Sequence, residues 1–287
     1  MKLSILLPTI GNWSLMDRFL KSIYMARENV AEVVIVDQSK SNNPIKESLA
    51  ASYPELPIIW LKSEKGLSLG RNIAMSFATG DLICFADDDC WYDQSTIVDI
   101  IKVFIDRPDL DGLVVKSEDG HGDLSFGKHV GNGQKVTMLN HWSICISYNI
   151  FLRKDCSSGL LFDENLGVGS KLIYRSGEES DYIICLLKKN VHIEYSNRIR
   201  VFHPNTKHAE DKISSKFIVR LFYYGCGFGA VHRKHKMKVL LTYKILRSMG
   251  MIFHGILFFK YHRVVQGVAV LLGRLTGYFL YHYETAE

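Results

Sequence analysis

Short apolar runs recur along the first hundred residues, separated by stretches in which apolar residues return every three or four positions. The runs at 3–7, 32–36, 58–61 and 82–85 read as strands, and the segments near 15–26, 69–78 and 96–104 read as helices. Strand–helix alternation at this spacing predicts an α/β domain with a mostly parallel sheet covered by helices on both faces. Ligands bind such sheets beyond the carboxyl ends of the strands. Pro8 and Thr9 follow the first run, Asp37 and Ser39 the second, and Asp87, Asp88 and Asp89 the fourth, so all are expected at one crevice.

Residues 111–170 are richer in glycine and polar side chains and predict loops with a few mixed strands. A helix follows from about 178 to 189, then strands at 191–195 and 199–202. All six prolines lie at or before Pro204, and beyond it the pattern is helical. This places a boundary near 204–212, giving a domain over 1–205 and a helical region over 206–287. Gly225, Gly227 and Gly229 lack the preceding strand and lysine of a phosphate loop and read as a flexible joint between tail helices.

A 47% hydrophobic share with 11% aromatics excludes a wholly disordered chain. The net charge of +5 hides a division: residues 1–211 hold 23 Lys/Arg against 28 Asp/Glu, and residues 212–287 hold 12 against 2. No carboxylate occurs from Lys212 to Tyr283, which points to a polyanionic partner. Lys212, Lys216 and Arg220 recur beside Ile213, Phe217 and Leu221, the pattern of an amphipathic helix with cations flanking its apolar face. Residues 232–238 add further cations, and Phe253, Phe258, Phe259, Tyr261, Tyr278, Phe279 and Tyr281 add rings. The expectation is a basic amphipathic region over 212–283 lying on an anionic membrane, each cation contributing about 1 kcal/mol. A basic subdomain packed on the rest of the protein is the alternative.

A spanning helix is disfavoured in this basic region, because its uncharged runs, such as 248–259, fall short of the roughly 18 residues required. No nucleic-acid reading motif is present. The apolar run at 3–7 is too short for a signal peptide, and the six cysteines show no CxxC spacing. These features predict a cytoplasmic protein, peripheral on the inner face of the membrane.

Three consecutive aspartates at the end of a buried strand repel one another, and a divalent cation relieves that strain. Mg²⁺ and Mn²⁺ favour carboxylate oxygens together with substrate phosphates. In an extended backbone Asp87 and Asp89 point the same way, so one can face a nucleotide and the other a metal. A polar cap ahead of the helix near Thr96 is the competing explanation.

With these motifs in view, residues 1–205 resemble the nucleotide-sugar glycosyltransferases of family 2, with the GT-A fold. The resemblance rests on SILLPTI at 4–10, VVIVDQS at 33–39, GLSLGRNIA at 66–74, GDLICFADDDC at 80–90 and GEESD at 177–181. It implies a Rossmann-like sheet and an inverting reaction that moves a sugar from a nucleoside diphosphate, a UDP-sugar because Asp37 suits a uracil edge. The acceptor implied is a lipid-linked, polyprenyl-type or surface glycan of bacterial polysaccharide biosynthesis. Donor-binding positions are Pro8, Thr9, Asp37, Ser39, Gly70, Arg71, Asn72, Asp87 and Asp88. Asp89 and His203 are the metal positions for Mn²⁺ or Mg²⁺.

Glu179 is the candidate catalytic base, standing where Asp is more usual in that motif. Ser176 and Glu179 could instead form a capping box. Gly169 and Glu178 are the acceptor-side candidates, although 167–170 can equally be a plain loop. A nucleotidyltransferase and a catalytically silent membrane scaffold remain the alternative functions. The resemblance leaves the oligomeric state open.

Overall fold

Strand β1 (Leu3–Thr9) is buried along its whole length, as a strand covered on both faces must be. It lies between β2 (Val30–Asp37) and β4 (Leu82–Phe85), parallel to both, and β3 (Ile58–Lys62) pairs parallel on the outer side of β2. Beyond β4 the sheet continues through β8 (Ile150–Arg153), β6 (Gly112–Glu118), β9 (Ile193–Phe202) and β5 (Trp91–Tyr92), with β7 (Gln134–Lys135) on β9. Here β6 and β9 are parallel and the other pairings antiparallel. The computed structural model describes residues 1–40, 45–205 and 214–282, with the side chains of 46 and 47 outside that set.

The chain forms two compact units. The first comprises Met1–Lys65, Leu69–Phe162 and Tyr182–Thr206, and the second Gly66–Ser68, Asp163–Asp181 and Lys207–Glu287. In the first, alternation along β1 separates two cores. Leu3, Ile5 and Leu7 meet Met16, Phe19 and Ile23 of α1 (Trp13–Tyr24) and Ile97, Ile100 and Phe104 of α4 (Thr96–Asp106). Leu6 faces the other way, toward Ala74 of α3 (Leu67–Met75) and Tyr182, Ile183 and Leu186 of α6 (Glu178–Lys188). Each buried Leu or Ile contributes about 1.5–3 kcal/mol. Two short helices, α2 (Ile45–Ser52) and α5 (His141–Ile144), complete this unit.

One strand replaces the two expected at 191–195 and 199–202. β9 runs through, and a register shift opposite Val115 and Lys116 absorbs the polar residues Asn197 and Arg198 as an irregularity within the pairing. Helix α2 has no counterpart in the pattern reading; Leu49 is its buried anchor.

The second unit is built on α7 (Ser215–Lys234), α8 (Lys238–Leu257) and α9 (Tyr261–Leu280). Gly225 and Gly229 share one face of α7 and meet Gly273 and Gly277 of α9. A Cβ on Gly277 would lie 1.9 Å from the Cys226 carbonyl oxygen, and one on Gly273 2.2 Å from that of Phe222. The 225–229 segment is therefore helical and not a joint. Its glycines permit close backbone approach, and the intact helix supplies their hydrogen bonds. Arg274 donates to the Lys244 carbonyl at 2.5 Å and to Ser248 Oγ at 2.6 Å, tying α9 to α8. Burial and the nearby Arg247 push its pKa down to about 10.

An ionic cluster fastens the 163–181 segment to these helices. Lys234 Nζ donates to Asp163 at 2.8 Å and Asp181 at 2.9 Å, His235 Nε2 lies 2.7 Å from Asp181, and the Tyr281 hydroxyl donates to Asp163 at 2.5 Å. Burial works against ionisation of Asp163, yet Lys234 and Tyr281 hold it below the ordinary carboxylate range. Within α7, Lys216 and Arg220 are exposed and Phe217 and Leu221 half-buried, while Lys212 and Ile213 lie outside the described residues. No described helix is long and apolar enough to cross a membrane.

Helices α6, α7 and α8 end in the same turn, with Asn190, Lys236 and Phe259 at φ of 61°, 58° and 53°. In each, two backbone amides close back on the last turn, as Lys260 N does on the Gly255 carbonyl at 2.7 Å and Phe259 N on that of Ile256 at 3.2 Å. Left-handed backbone costs a phenylalanine roughly 1–2 kcal/mol that a glycine avoids.

Gly277→Ala is expected to destabilise the helical unit by about 1–3 kcal/mol through overpacking. Gly250→Ala, where the added methyl meets nothing within 4 Å, should stabilise by about 0.8–1 kcal/mol. Denaturant unfolding followed by far-ultraviolet circular dichroism distinguishes the two; equal effects would refute the close-approach account.

Candidate functional site

The strand order reverses at β1, since β2 lies on one side of it and β4 on the other, and such a switch point opens a crevice beyond the strand ends. Register sets Thr9 level with Asp37. The Asp37 carboxylate is fully buried, accepting from Ser39 N at 2.8 Å and from Lys62 Nζ at 2.9 Å. Lys62 also donates to the Ser39 carbonyl at 2.6 Å, which fixes the turn after β2.

Each of the three aspartates after β4 has a different counterpart. Asp88 accepts from Thr9 Oγ1 at 2.5 Å and from Asn12 Nδ2 at 3.1 Å. Burial raises its pKa in spite of those bonds. Asp87 Oδ1 lies 3.6 Å from the guanidinium of the fully buried Arg71. Burial raises the Asp87 pKa, and Arg71 and His203 offset only part of that. Asp89 Oδ1 is 3.1 Å from His203 Nε2. There burial is outweighed by the imidazole, and Asp89 lies below the ordinary range.

His203 reaches Asp89 through strand pairing. Trp91 of β5 opposes Phe202 of β9, and their rings stack at 5.4 Å. Arg18 stacks over Trp91 at 3.9 Å and donates to the Asp89 carbonyl at 2.7 Å. The His203 ring lies on Tyr148 at 4.5 Å with 5° between planes. Its Nδ1 is 2.9 Å from the Pro204 carbonyl, which can only accept, so Nδ1 carries a proton and Nε2 is directed at Asp89. Burial lowers the His203 pKa, and the Asp89 and Asp87 carboxylates more than reverse that. Asp87, Asp89 and His203 each offer a ligand atom, all within 4.8 Å of one another. Residues 87–90 form a tight turn, Cys90 N donating to the Asp87 carbonyl at 3.2 Å, in place of the extended backbone expected there, and two carboxylates on this turn with an imidazole suit a hard divalent ion such as Mn²⁺ or Mg²⁺.

Helix α3 presents Arg71 because Gly70 lets it approach the end of β1: a Cβ there would lie 2.8 Å from Pro8 Cβ and 2.9 Å from Gln38 Nε2. Asn72 has a different engagement from Arg71, since its amide both donates to the Phe162 carbonyl at 3.0 Å and accepts from Phe162 N at 2.8 Å. Arg71 stacks 5.3 Å from the ring of that same Phe162.

Glu178, Glu179 and Gly169 belong to the second unit. Helix α6 starts at Glu178, so Gly177, at φ 88°, precedes it, and the Ser176 hydroxyl donates to the Tyr224 carbonyl at 2.9 Å. The Ser176–Glu179 box is thus one residue out of register with the helix start. Glu178 is buried and Glu179 half-buried. Gly167 and Gly169 take φ of 98° and 84°, and a Cβ on Gly167 would lie 3.0 Å from Glu178 Cδ. The pattern reading missed Arg18, Asn12, Trp91 and Tyr148; of these supports Asn12 and Trp91 stood just beyond a motif, at 4–10 and 80–90.

The model of the family described as glycosyl transferase family 2 matches residues 4–159. The chain belongs to glycosyltransferase family 2. It is 33% identical over 128 residues to an uncharacterised glycosyltransferase, YwdF, of Bacillus subtilis, covering 42% of this chain and 46% of that one. It is 34% identical over 93 residues to human polypeptide N-acetylgalactosaminyltransferase 10, covering 30% and 15%. The chain thus spans less than half the length of these curated relatives. Among solved structures, S. aureus TarS 1–349 in complex with UDP-GlcNAc aligns with a TM-score of 0.55 at 20% identity, over 79% of this chain and 66% of that one. The mannosyltransferase PcManGT of Pyrobaculum calidifontis, in complex with GDP-Man and Mn²⁺, aligns with a TM-score of 0.59 at 14% identity, over 83% and 64%. The fold is accordingly GT-A, with a helical region at the carboxyl end.

The Asp89–His203 pair has a defined pH window. His203 is raised above 6.5, so its contribution is complete below that value and is lost as pH rises through the folded pKa. Asp89 is lowered below 3.8, so its contribution is complete above that value and is lost as pH falls through the folded pKa. Histidine NMR on chelator-treated protein should show His203 titrating above 6.5, and Asp89→Asn should bring it down. An unchanged His203 titration in the variant would contradict the pairing.

Proposed function

We propose that the chain is a metal-dependent, inverting glycosyltransferase that moves a sugar from a nucleoside diphosphate donor, a UDP-sugar, to a lipid-linked or surface-glycan acceptor in polysaccharide biosynthesis. The observation that carries this reading is the convergence of Asp87, Asp89, His203 and Arg71 at the switch point of the sheet. The nucleotide-sugar ligands named for TarS and PcManGT support the donor class, and the Mn²⁺ of the latter supports a divalent metal.

In this reading residues 1–205 carry the chemistry. Pro8, Thr9, Asp37 and Ser39 form the nucleoside side of the donor site, with Asp37 reading the base edge and Lys62 orienting its carboxylate. Asp89, His203 and Asp87 hold the cation, which when bound supplies positive charge for the departing diphosphate. Arg71, at fixed position and without freedom to swing into solvent, adds a second positive charge to the diphosphate. Gly70 sets the depth of Arg71, and Asn72 holds the Phe162 backbone beneath it. Asp88 ties the aspartate turn to β1 through Thr9.

Glu179 takes the proton of the acceptor hydroxyl as the new bond forms at the anomeric carbon. A carboxylate with an ordinary pKa near ~4 is ionised at neutral pH and suited to that role. Inversion needs one displacement and no covalent enzyme intermediate. Glu178 and Gly169 line the acceptor side. The basic region over 212–283 rests on an anionic membrane at the cytoplasmic face, where a polyprenyl-linked acceptor is reached.

Mn²⁺-dependent hydrolysis of UDP-sugars tests the enzyme. Asp89→Ala is expected to lower turnover by about 10²-fold or more and to weaken Mn²⁺ binding in calorimetry, with far-ultraviolet circular dichroism unchanged. Glu179→Gln should lose transfer to acceptor by about 10²–10⁴-fold while retaining donor affinity. Full activity in Asp89→Ala would overturn the metal assignment, and a preference for guanine nucleotides would overturn the role of Asp37.

A further inference from the structure

The turn joining α8 to α9 carries a cluster of largely exposed rings, of which Phe258 lies beside the His254 ring at 4.6 Å. Phe259 is 95% exposed, Tyr261 74%, Phe253 67% and Phe258 56%, with Ile256 and Leu257 exposed beside them. A contiguous apolar surface of this kind marks an interaction site. The turn chemistry singles it out further. Phe259 occupies the left-handed position that closes the end of α8, where a glycine would make the same two backbone hydrogen bonds without strain. Its ring is almost wholly exposed, so packing against the described residues does not offset that strain.

Charge identifies the partner. Lys260, His262 and Arg263 are exposed within the turn, and Lys238 and Arg247 are exposed along α8. No Asp or Glu lies anywhere from Lys212 to Tyr283. A second copy of the chain pairing through this same face would set cations against cations with no acid to relieve them. An anionic bilayer meets both features, since its acyl boundary takes the rings and its headgroup phosphates take the cations.

We infer that residues 253–263 insert into an anionic lipid bilayer, with Phe258 and Phe259 at the acyl boundary and Lys260 and Arg263 against lipid phosphates. This rests on the membrane reading of the basic region given above and narrows it to one turn. It also moves the contact away from the cationic stripe on α7, where Phe217 and Leu221 are half-buried.

The test uses the full chain and phosphatidylcholine vesicles with and without phosphatidylglycerol. Sedimentation should show binding that requires the anionic lipid, and the Phe258→Ser/Phe259→Ser double variant should lose about tenfold or more in partitioning. Phe259→Trp should be quenched by brominated lipid beyond the level set by the four native tryptophans. UDP-sugar hydrolysis and helical content should be unchanged in all variants, because none of these residues belongs to the donor or metal site. Failure of the parent to sediment would overturn the membrane reading as a whole. Sedimentation unaffected by the double variant, with no added quenching of Phe259→Trp, would overturn the insertion of this turn alone. A vesicle-independent dimer in analytical ultracentrifugation that the double variant abolishes would assign the face to a second copy and overturn the inference.

Discussion

Three carboxylates in consecutive positions at the end of a buried strand set the terms for the first unit. Left together, they would repel and protonate, and each is instead claimed by a different element: Asp88 by β1 and the start of α1, Asp87 by α3, and Asp89 by the end of β9. The order of the sheet follows this need. β1 lies between β2 and β4 so that Thr9 meets Asp88, and β9 returns antiparallel to the short β5 so that His203 meets Asp89. The Arg18–Trp91–Phe202 stack makes that return rigid, because it fixes both the backbone of Asp89 and the residue preceding His203.

The helical unit solves a different problem by different means. Its helices α7, α8 and α9 carry many cations and no acids, so ion pairs cannot join them to one another, and α7 and α9 approach through glycines whose missing side chains let backbone meet backbone. Where charge does appear inside, it is given polar partners. Arg274 spends its donors on a carbonyl and a hydroxyl of α8, and Lys234 lies between two aspartates of the preceding segment. On α8 the apolar side chains of Val239, Tyr243, Leu246 and Phe253 are left exposed.

The parallel half of the sheet was legible because a strand covered on both faces is a continuous apolar run, and 3–7, 32–36 and 82–85 are such runs. The crevice residues followed from strand ends, since ligand sites in these sheets fall there whatever the chemistry. The mixed half was harder to read. β9 contains Asn197 and Arg198, which interrupt an apolar pattern but occupy a register irregularity in the actual pairing. The glycines at 225–229 misled for a related reason: local propensity reads them as freedom, whereas a tertiary contact uses them for proximity. Arg18 and Tyr148 carried no signal at all, because their roles arise from stacking against residues far away in sequence.

Buried acid clusters occur in both units, and their electrostatic balance distinguishes scaffold from site. Asp163 and Asp181 face Lys234, His235 and the Tyr281 hydroxyl, and the outcome is mutual satisfaction: Asp163 is held ionised below its ordinary range and Lys234 protonated above its own. The aspartate turn is left in deficit. Arg71 faces Asp87 and Arg18 is held on the Asp89 backbone, two permanent cations against three carboxylates, while His203 is already committed to Asp89 and burial keeps the Asp87 and Asp88 pKa values raised. A cluster that has closed its charge balance gains little from another cation and serves as a fastener. One with surplus negative charge, held in place by stacked rings and strand pairing so that it cannot relax, gains from a divalent ion directly. Rigidity and deficit together suit the end of β4 to the metal and diphosphate proposed for it, and neither property alone would suffice.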